Sequence, residues 1–213
     1  MEQPALPSWL EPHRADLQAY ADLLTTVGVD HGLIGPREIP RLWSRHLLNS
    51  AVVAEPAAGL VRQQAIVADV GSGAGLPGLV WALVRPDLRI TLIEPLLRRA
   101  KFLQEAVEEL GLTARVVVLR GRGEEVKAQW ASFDVVTARA VAPLPKLLGW
   151  TVPLLKTNGR LLALKGQQAA EELQEAGAVI AKYRLREVSV IHIGEPWVDP
   201  ATTVVSAYRG TAQ

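Results

Sequence analysis

The chain has 213 residues, 49% of them apolar and 21% charged, the balance of a folded globular protein rather than a disordered one. Lysine and arginine total 23 against 22 acids, and a net charge of +1 excludes a grossly basic, histone-like binder while leaving room for a local basic face. Cysteine is absent, which excludes disulfides, cysteine-ligated zinc, iron–sulfur clusters and thiol nucleophiles, and fits a reducing compartment.

The opening Met1-Glu2-Gln3-Pro4 has no basic start and no apolar core of a signal peptide. No apolar run approaches the roughly 20 residues of a spanning helix, so a soluble, cytoplasmic protein away from membranes is expected. Residues 1–60 hold four arginines against seven acids and read as a helical N-terminal extension. Leu10, Leu17, Tyr20, Leu24 and Val27 share one face of a helix that Gly28 is expected to stop. After a loop marked by Gly32, Gly35 and Pro36, a second helix is predicted from about Pro36 to Ala54, with Pro40 in its first turns.

Residues 61–213 carry a different texture, with strands alternating with helices. The strands are Ala65–Val70, Arg89–Ile93, Arg115–Leu119, Phe133–Thr137 and Gly159–Leu164. Helices are predicted over Leu79–Val84, Leu96–Leu110, Leu144–Leu155 and Glu171–Ala178. Two last strands, Val188–Ile193 and Thr203–Tyr208, are too closely joined for a crossover helix and are expected to be antiparallel. The pattern is α/β: a mostly parallel sheet covered on both faces, with the 1–60 extension packed on it.

The strongest chemical signal is Asp69-Val70-Gly71-Ser72-Gly73-Ala74-Gly75-Leu76-Pro77-Gly78, placed between the first strand and a helix. Glycines there permit a tight turn and a close backbone approach to a ligand. A dinucleotide loop, G-x-G-x-x-G, fails when started at Gly71 and passes only from Gly73, beyond the strand end. An acid two residues before G-x-G-x-G instead resembles the S-adenosylmethionine loop of Rossmann-like class I methyltransferases. Glu94 ends the second strand, where a carboxylate can accept both ribose hydroxyls of either ligand. Asp69 either reaches the methionine amino group or accepts N–H bonds from its own loop.

Arg45-His46-Leu47-Leu48-Asn49-Ser50, the glycine loop, Thr137-Ala138-Arg139-Ala140 and Ala163-Leu164-Lys165-Gly166, in that order, resemble the glucose-inhibited division protein B family, the ribosomal RNA small subunit methyltransferases G. The resemblance covers roughly residues 16–210 and looks actinobacterial. It implies methylation of guanosine N7 in 16S ribosomal RNA near the decoding site, with S-adenosyl-L-methionine as cofactor and no metal. It implies Gly71, Ser72, Gly73, Gly75 and Leu76 around the cofactor, Gly123 and Glu124 at its adenine end, and Arg139 beside the transferred methyl. Asn49 departs from the family's usual aspartate, and Gly32-Leu33-Ile34 stands near its usual Asn-Leu-Thr.

Guanine N7 has a free lone pair and needs no general base. Positioning is then the expected source of catalysis, with Arg139 and Lys165, each just past a predicted strand, handling the guanine or a phosphate. His46 is a further candidate for the RNA or the pocket rim. Basic groups at Arg41 and Arg45, at Arg98, Arg99 and Lys101, at Arg120 and Arg122, and at Lys182, Arg184 and Arg186 are available to phosphates. The expected partner is 16S rRNA or the small-subunit particle, met by a monomer. Other readings are a nicotinamide-dependent oxidoreductase, a non-catalytic cofactor-binding RNA module and a small-molecule methyltransferase.

Overall fold

A computed structural model describes residues 4–211; Met1, Glu2 and Gln3 of the opening stretch, with Ala212 and Gln213, lie outside the described residues. Seven strands form one sheet: β1 (Ile66–Val70), β2 (Arg89–Glu94), β3 (Val116–Arg120), β4 (Phe133–Arg139), β5 (Leu155–Lys165), β6 (Leu185–Ile193) and β7 (Thr202–Arg209). Their order is β3-β2-β1-β4-β5-β7-β6. The first five run parallel, and β7 inserts antiparallel between β5 and β6. Strand order reverses at β1, which has β2 on one side and β4 on the other. Such a reversal opens a crevice at the carboxyl ends of the strands.

Side-chain alternation along the central strands divides the apolar core into two layers. On one face, Val67, Leu92, Val135, Leu162 and Leu164 pack with helices α4 (Gly78–Val84) and α5 (Leu97–Glu109) and with the N-terminal extension. On the other, Val70, Val136, Ala138 and Ala163 pack with α6 (Leu144–Thr151) and with Ala169 of α7 (Ala169–Glu175). Every residue of α4 is buried, because the extension covers the side of the helix that the sheet does not. Trp81 donates its indole N–H to Ser50 O at 2.8 Å. Arg85 donates to Ala54 O at 3.0 Å and pairs with Asp87 at 2.7 Å, tying the end of the extension to the end of α4.

The extension differs from its predicted form. The first helix runs as α1 (Arg14–Thr25) and a short α2 (Val27–Asp30), preceded by a 3₁₀ turn at Glu11–His13. Gly28 lies inside α2 and does not stop it; Gly32, at φ +64°, follows the stop. The break falls at Thr26, whose N–H and hydroxyl both donate to Asp22 O, at 3.1 and 2.7 Å, so the side chain shares the last carbonyl of the helix. The second helix is not one helix. It is a 3₁₀ turn (Pro36–Arg41), a π-helical stretch (Leu42–Leu48), one α turn (Asn49–Ala51) and another 3₁₀ turn (Val52–Ala54). Pro40 has no N–H to donate, so regular α-geometry cannot hold there. π-helical insertions often sit at functional sites.

In the core, boundaries move but types hold, with two exceptions. Helix α6 ends at Thr151 rather than Leu155, since Pro153 cannot continue the ladder, and the residues after it begin β5. The segment predicted as Glu171–Ala178 is two helices, α7 and α8 (Gly177–Lys182), meeting at Ala176. β4 and β5 extend to include Arg139 and Lys165 as their last residues, so neither lies beyond its strand.

Tyr20, fully buried in α1, donates its hydroxyl to Ala74 O in the glycine loop at 2.6 Å. Replacing it with phenylalanine leaves that carbonyl unpaired in an apolar setting, which costs about 1–3 kcal/mol. Tyr20→Phe should therefore lower the denaturant midpoint with little change in slope, and an unchanged midpoint would show the bond to be idle.

Candidate active site

The loop after β1 is built by backbone bonds that the crossing to α4 requires. Gly71 N and Ser72 N both donate to Ile93 O, at 2.8 and 3.2 Å, and Gly75 N donates to Ser72 O at 2.7 Å. Gly71, Gly73 and Gly75 all have φ between +58° and +97°, which side chains rarely adopt. A Cβ on Gly71 would stand 2.8 Å from Val141, and one on Gly75 only 2.4 Å from Leu79 and 2.9 Å from the Tyr20 hydroxyl.

Two buried carboxylates brace this loop. Asp69 Oδ2 accepts Gly78 N–H at 3.0 Å, at the start of α4. Glu94 Oε2 accepts Gly73 N–H at 2.9 Å, and its Oε1 accepts Leu96 N–H at 3.0 Å. Asp69 Oδ1 is buried with no partner among the described residues. Burial, chiefly, pushes the Asp69 carboxyl up to about 7, against the lowering effect of the bond from Gly78 and of the nearby Ser72 hydroxyl.

A cavity of about 580 Å³ opens across the ends of β2, β1 and β4, at the reversal of strand order. Gly71, Ser72, Gly73 and Leu76 line it from the loop, Glu94 from β2, Gly123 and Glu124 from the segment after β3, and Arg139 from β4. A Cβ on Gly123 would stand 2.8 Å from Trp150 O, so this glycine lets the segment close against α6. Three of the expected site residues lie elsewhere. Asp69 sits beneath the loop and Gly75 faces Tyr20 and Leu79, so neither is in the cavity wall. Lys165 is on the opposite face of the sheet. Arg139 pairs with Leu164 and shares its side, and alternation turns the next residue away. Lys165 pairs instead with Glu172 at 2.7 Å and donates to Ala142 O at 2.9 Å.

Arg139 is held by the extension. Its Nη1 donates to His46 O at 3.4 Å and Ser50 Oγ at 3.2 Å, and its Nη2 donates to Arg45 O at 3.2 Å and His46 Nδ1 at 2.7 Å. Guanidinium has no acceptor, so Nδ1 of His46 must offer its lone pair. The ring is then neutral with its proton on Nε2, which lies 2.9 Å from Glu38 Oε2 and donates to it. Burial and the Arg139 charge hold the His46 pKa below the usual histidine value, against the pull of Glu38. Burial likewise lowers the Arg139 pKa.

Several further residues line the cavity; of these the sequence singled out Arg99 and Arg122 as basic groups and Leu33-Ile34 within the Gly32-Leu33-Ile34 stretch, and left the others unread. Leu33 and Ile34 come from the loop of the extension, Pro95, Leu96 and Arg99 follow β2, Arg122 follows β3, and Lys146 and Trp150 lie on α6. Pro95, Leu96, Arg99 and Arg122 share one signal, a position following a strand's carboxyl end, and Leu33, Ile34, Lys146 and Trp150 do not carry it. Asn49 does not line the cavity, and its carbonyl accepts the Thr202 hydroxyl at 3.1 Å. No group of three or more potential metal-ligating side chains occurs among the described residues, and none of their helices is long and apolar enough to cross a membrane.

A sheet of this order with its cavity at the β1 switch point is the architecture of a Rossmann-like methyltransferase. A SAM-dependent methyltransferase from Aquifex aeolicus superposes with a TM-score of 0.56 at 19% identity, over 83% of this chain and 99% of that one. A SAM-dependent O-methyltransferase from Thermotoga maritima gives 0.52 at 15% identity, over 72% and 62%. At such identities the likeness concerns the fold alone. The family described as rRNA small subunit methyltransferase G matches residues 13–199, and the chain belongs to it. Ribosomal RNA small subunit methyltransferase G of Thermobifida fusca is 58% identical over 92% of this chain and 80% of its own length. Those of Streptomyces avermitilis and Mycobacterium marinum are 57% and 50% identical, over 92% and 91% of this chain and 80% and 83% of their own. The actinobacterial resemblance is borne out, and the chain is a methyltransferase of small-subunit rRNA that uses S-adenosyl-L-methionine. Neither the oxidoreductase nor the non-catalytic reading gains support.

Protonating His46 removes the lone pair that Arg139 needs and places two cations in contact. Methyl transfer should therefore fall on acidification with a limb below the ordinary histidine range, because the folded-state pKa is lowered. The rate of His46→Asn, whose amide oxygen can still accept from Arg139, should lose that limb while keeping activity. A rate profile with the same limb in wild type and His46→Asn would refute the assignment.

Proposed function

We propose that the chain transfers a methyl group to N7 of one guanosine of 16S rRNA near the decoding site, from S-adenosyl-L-methionine held across the ends of β2, β1 and β4. The cavity at the switch point carries this reading, because its walls fit that ligand. Glu94 is buried, yet each oxygen has accepted only one backbone N–H, so lone pairs remain for a ribose diol. Gly71 and Gly73, at positive φ, bring bare backbone to a wall shared with Ser72 and Leu76, and Gly123 and Glu124 line the part of the cavity after β3 that the adenine would occupy. Asp69 and Gly75 contribute by shaping the loop rather than by contact.

Bound there, S-adenosyl-L-methionine supplies an electrophilic methyl group. The chain's own residues orient and shield. Arg139 has four N–H groups engaged by the extension, and its Nε–H has no acceptor among the described residues. That donor is offered to the cofactor or the base. No residue needs to remove a proton, since the N7 lone pair attacks directly. Alignment of the reacting atoms is the main catalytic contribution, and such alignment supplies about 7–11 kcal/mol in well-oriented systems.

Arg99, Arg122 and Lys146 stand at the same cavity and give its mouth a basic rim for phosphates. We further infer that residues 1–60 act as an extension packed on a 61–213 core, and that the protein works as a cytoplasmic monomer on a small-subunit particle rather than on bare rRNA.

Small subunits lacking the modification, incubated with labelled S-adenosyl-L-methionine and digested to nucleosides, should yield labelled 7-methylguanosine from one site. Label in any other nucleoside would overturn the N7 assignment. Glu94→Gln should weaken adenosylhomocysteine binding by about 10-fold or more in titration calorimetry, since hydrogen bonds to a charged acceptor contribute roughly 1.5–3 kcal/mol. Unchanged binding would remove the carboxylate from the ribose role.

A further inference from the structure

A second cavity, of about 350 Å³, lies beside the first and shares Ala140 and Val141 with it. Lys165, Gly166, Gln168 and Glu172 are among the residues on its far side. Ala140 has φ +52°, a left-handed conformation that an alanine holds only where its surroundings impose it. This residue turns the chain as it leaves β4, so that Ala140 and Val141 become a common wall. The two cavities thus adjoin at the ends of β4 and β5.

The chemistry of the second cavity is an alternation of donor and acceptor. Lys165 Nζ donates to Ala142 O and to Glu172 Oε2, which leaves its third N–H without a partner among the described residues. Glu172 Oε2 also accepts Leu144 N–H at 2.6 Å. Its Oε1 accepts nothing among the described residues and is not sealed from solvent. An ammonium N–H therefore stands next to a free carboxylate oxygen. The pair is neutral overall, which disfavours a phosphate, because a phosphate needs surplus positive charge. It matches an edge on which one acceptor stands beside donors. Guanine presents such an edge: O6 accepts, and N1–H and the N2 amino group donate. Uracil follows its acceptor with a single donor, and adenine and cytosine present a donor beside a ring acceptor, so only guanine sets two donors against the carboxylate.

We propose that this second cavity receives the Watson–Crick edge of the guanine to be methylated, with Glu172 Oε1 accepting from N1–H and N2–H and Lys165 donating to O6. The inference rests on the guanosine-N7 reading above. A purine lying across the Ala140–Val141 wall turns N7 toward the first cavity and the adjoining edge of O6, N1 and N2 toward the second. Single-stranded bases splayed from RNA are commonly read in this way, on their Watson–Crick edges. Lys165 and Glu172 are then specificity-determining residues. The ion pair also ties α7 to β5, and Glu172 ties α7 to the start of α6 through Leu144 N–H, so their removal alone would not separate reading from folding.

Gly166 gives a cleaner test. Gly166 lines the cavity, a Cβ there meets nothing within 4 Å and its φ is not in the left-handed region, so a side chain added there has open space at the cavity wall. Gly166→Leu should keep wild-type melting temperature and adenosylhomocysteine affinity, yet lose about 10-fold or more in kcat/KM for small subunits, as lost hydrogen bonds to a charged group predict. A second measurement needs no variant: small subunits reconstituted with inosine at the target, which lacks the N2 amino group, should be methylated about 10-fold more slowly by the wild type. Glu172→Gln should narrow that inosine-to-guanosine ratio. Full activity of Gly166→Leu, or equal rates on inosine and guanosine, would overturn the subsite while wild-type formation of 7-methylguanosine leaves the N7 reading standing. Absence of 7-methylguanosine with the wild type would overturn both.

Discussion

Two buried carboxylates at the ends of adjacent strands hold the loop on which the site depends. Asp69 ends up under Gly78 and Glu94 under Gly73, so the loop is pinned at its middle and at the start of α4. A buried carboxylate is costly unless hydrogen-bonded, and in each case the compensating donors are loop or helix N–H groups that would otherwise be unpaired. The two differ in what remains. Glu94 has both oxygens engaged and still faces the cavity, whereas Asp69 has one oxygen engaged and one sealed away. The pKa of Asp69, raised to about 7 mainly by burial, follows from that isolation. Its effect on stability has a definite sign. The folded state favours the proton more than the unfolded state does, so this contribution is fully present below the unfolded carboxyl value and fades as pH rises through about 7.

The extension belongs to the site as much as the sheet does. Tyr20 of α1 bonds the loop at Ala74, and His46 and Ser50 fix Arg139. Its unusual backbone has a purpose in this geometry. The π-helical stretch carries Arg45 and His46, and both backbone carbonyls there accept from the Arg139 guanidinium. The irregular segment therefore converts a helix face into a set of acceptors for one arginine.

The strand–helix alternation, the antiparallel end of the sheet and the glycine loop were legible because each rests on local pattern: apolar runs, glycines at positive φ and acids at strand ends. Gly71, Ser72, Gly73, Leu76, Glu94, Gly123, Glu124 and Arg139 do gather at one cavity. Lys165 does not share the cavity of Arg139, because Arg139 pairs with Leu164 and the pleat turns the next residue to the other face. The extension was hardest to read. Its apolar spacing suits a helix, but Pro40 and the Thr26 hydroxyl, together with demands from Arg139, reshape it. Such tertiary contacts override local propensity and leave no periodic trace.

The hydrogen-bond state of His46 also bears on mechanism. A histidine beside a reaction centre invites the role of general base, but both of its nitrogens are engaged, Nε2–H toward Glu38 and Nδ1 from Arg139. To take a proton it would have to release the arginine that lines the cavity. Burial and the neighbouring guanidinium further disfavour the imidazolium. The constellation is thus suited to hold a cation still rather than to move a proton. A ring nitrogen such as guanine N7 attacks with a lone pair it already has, so a site whose one nearby histidine is locked neutral suits that nucleophile better than a hydroxyl or an amino group that must first be deprotonated.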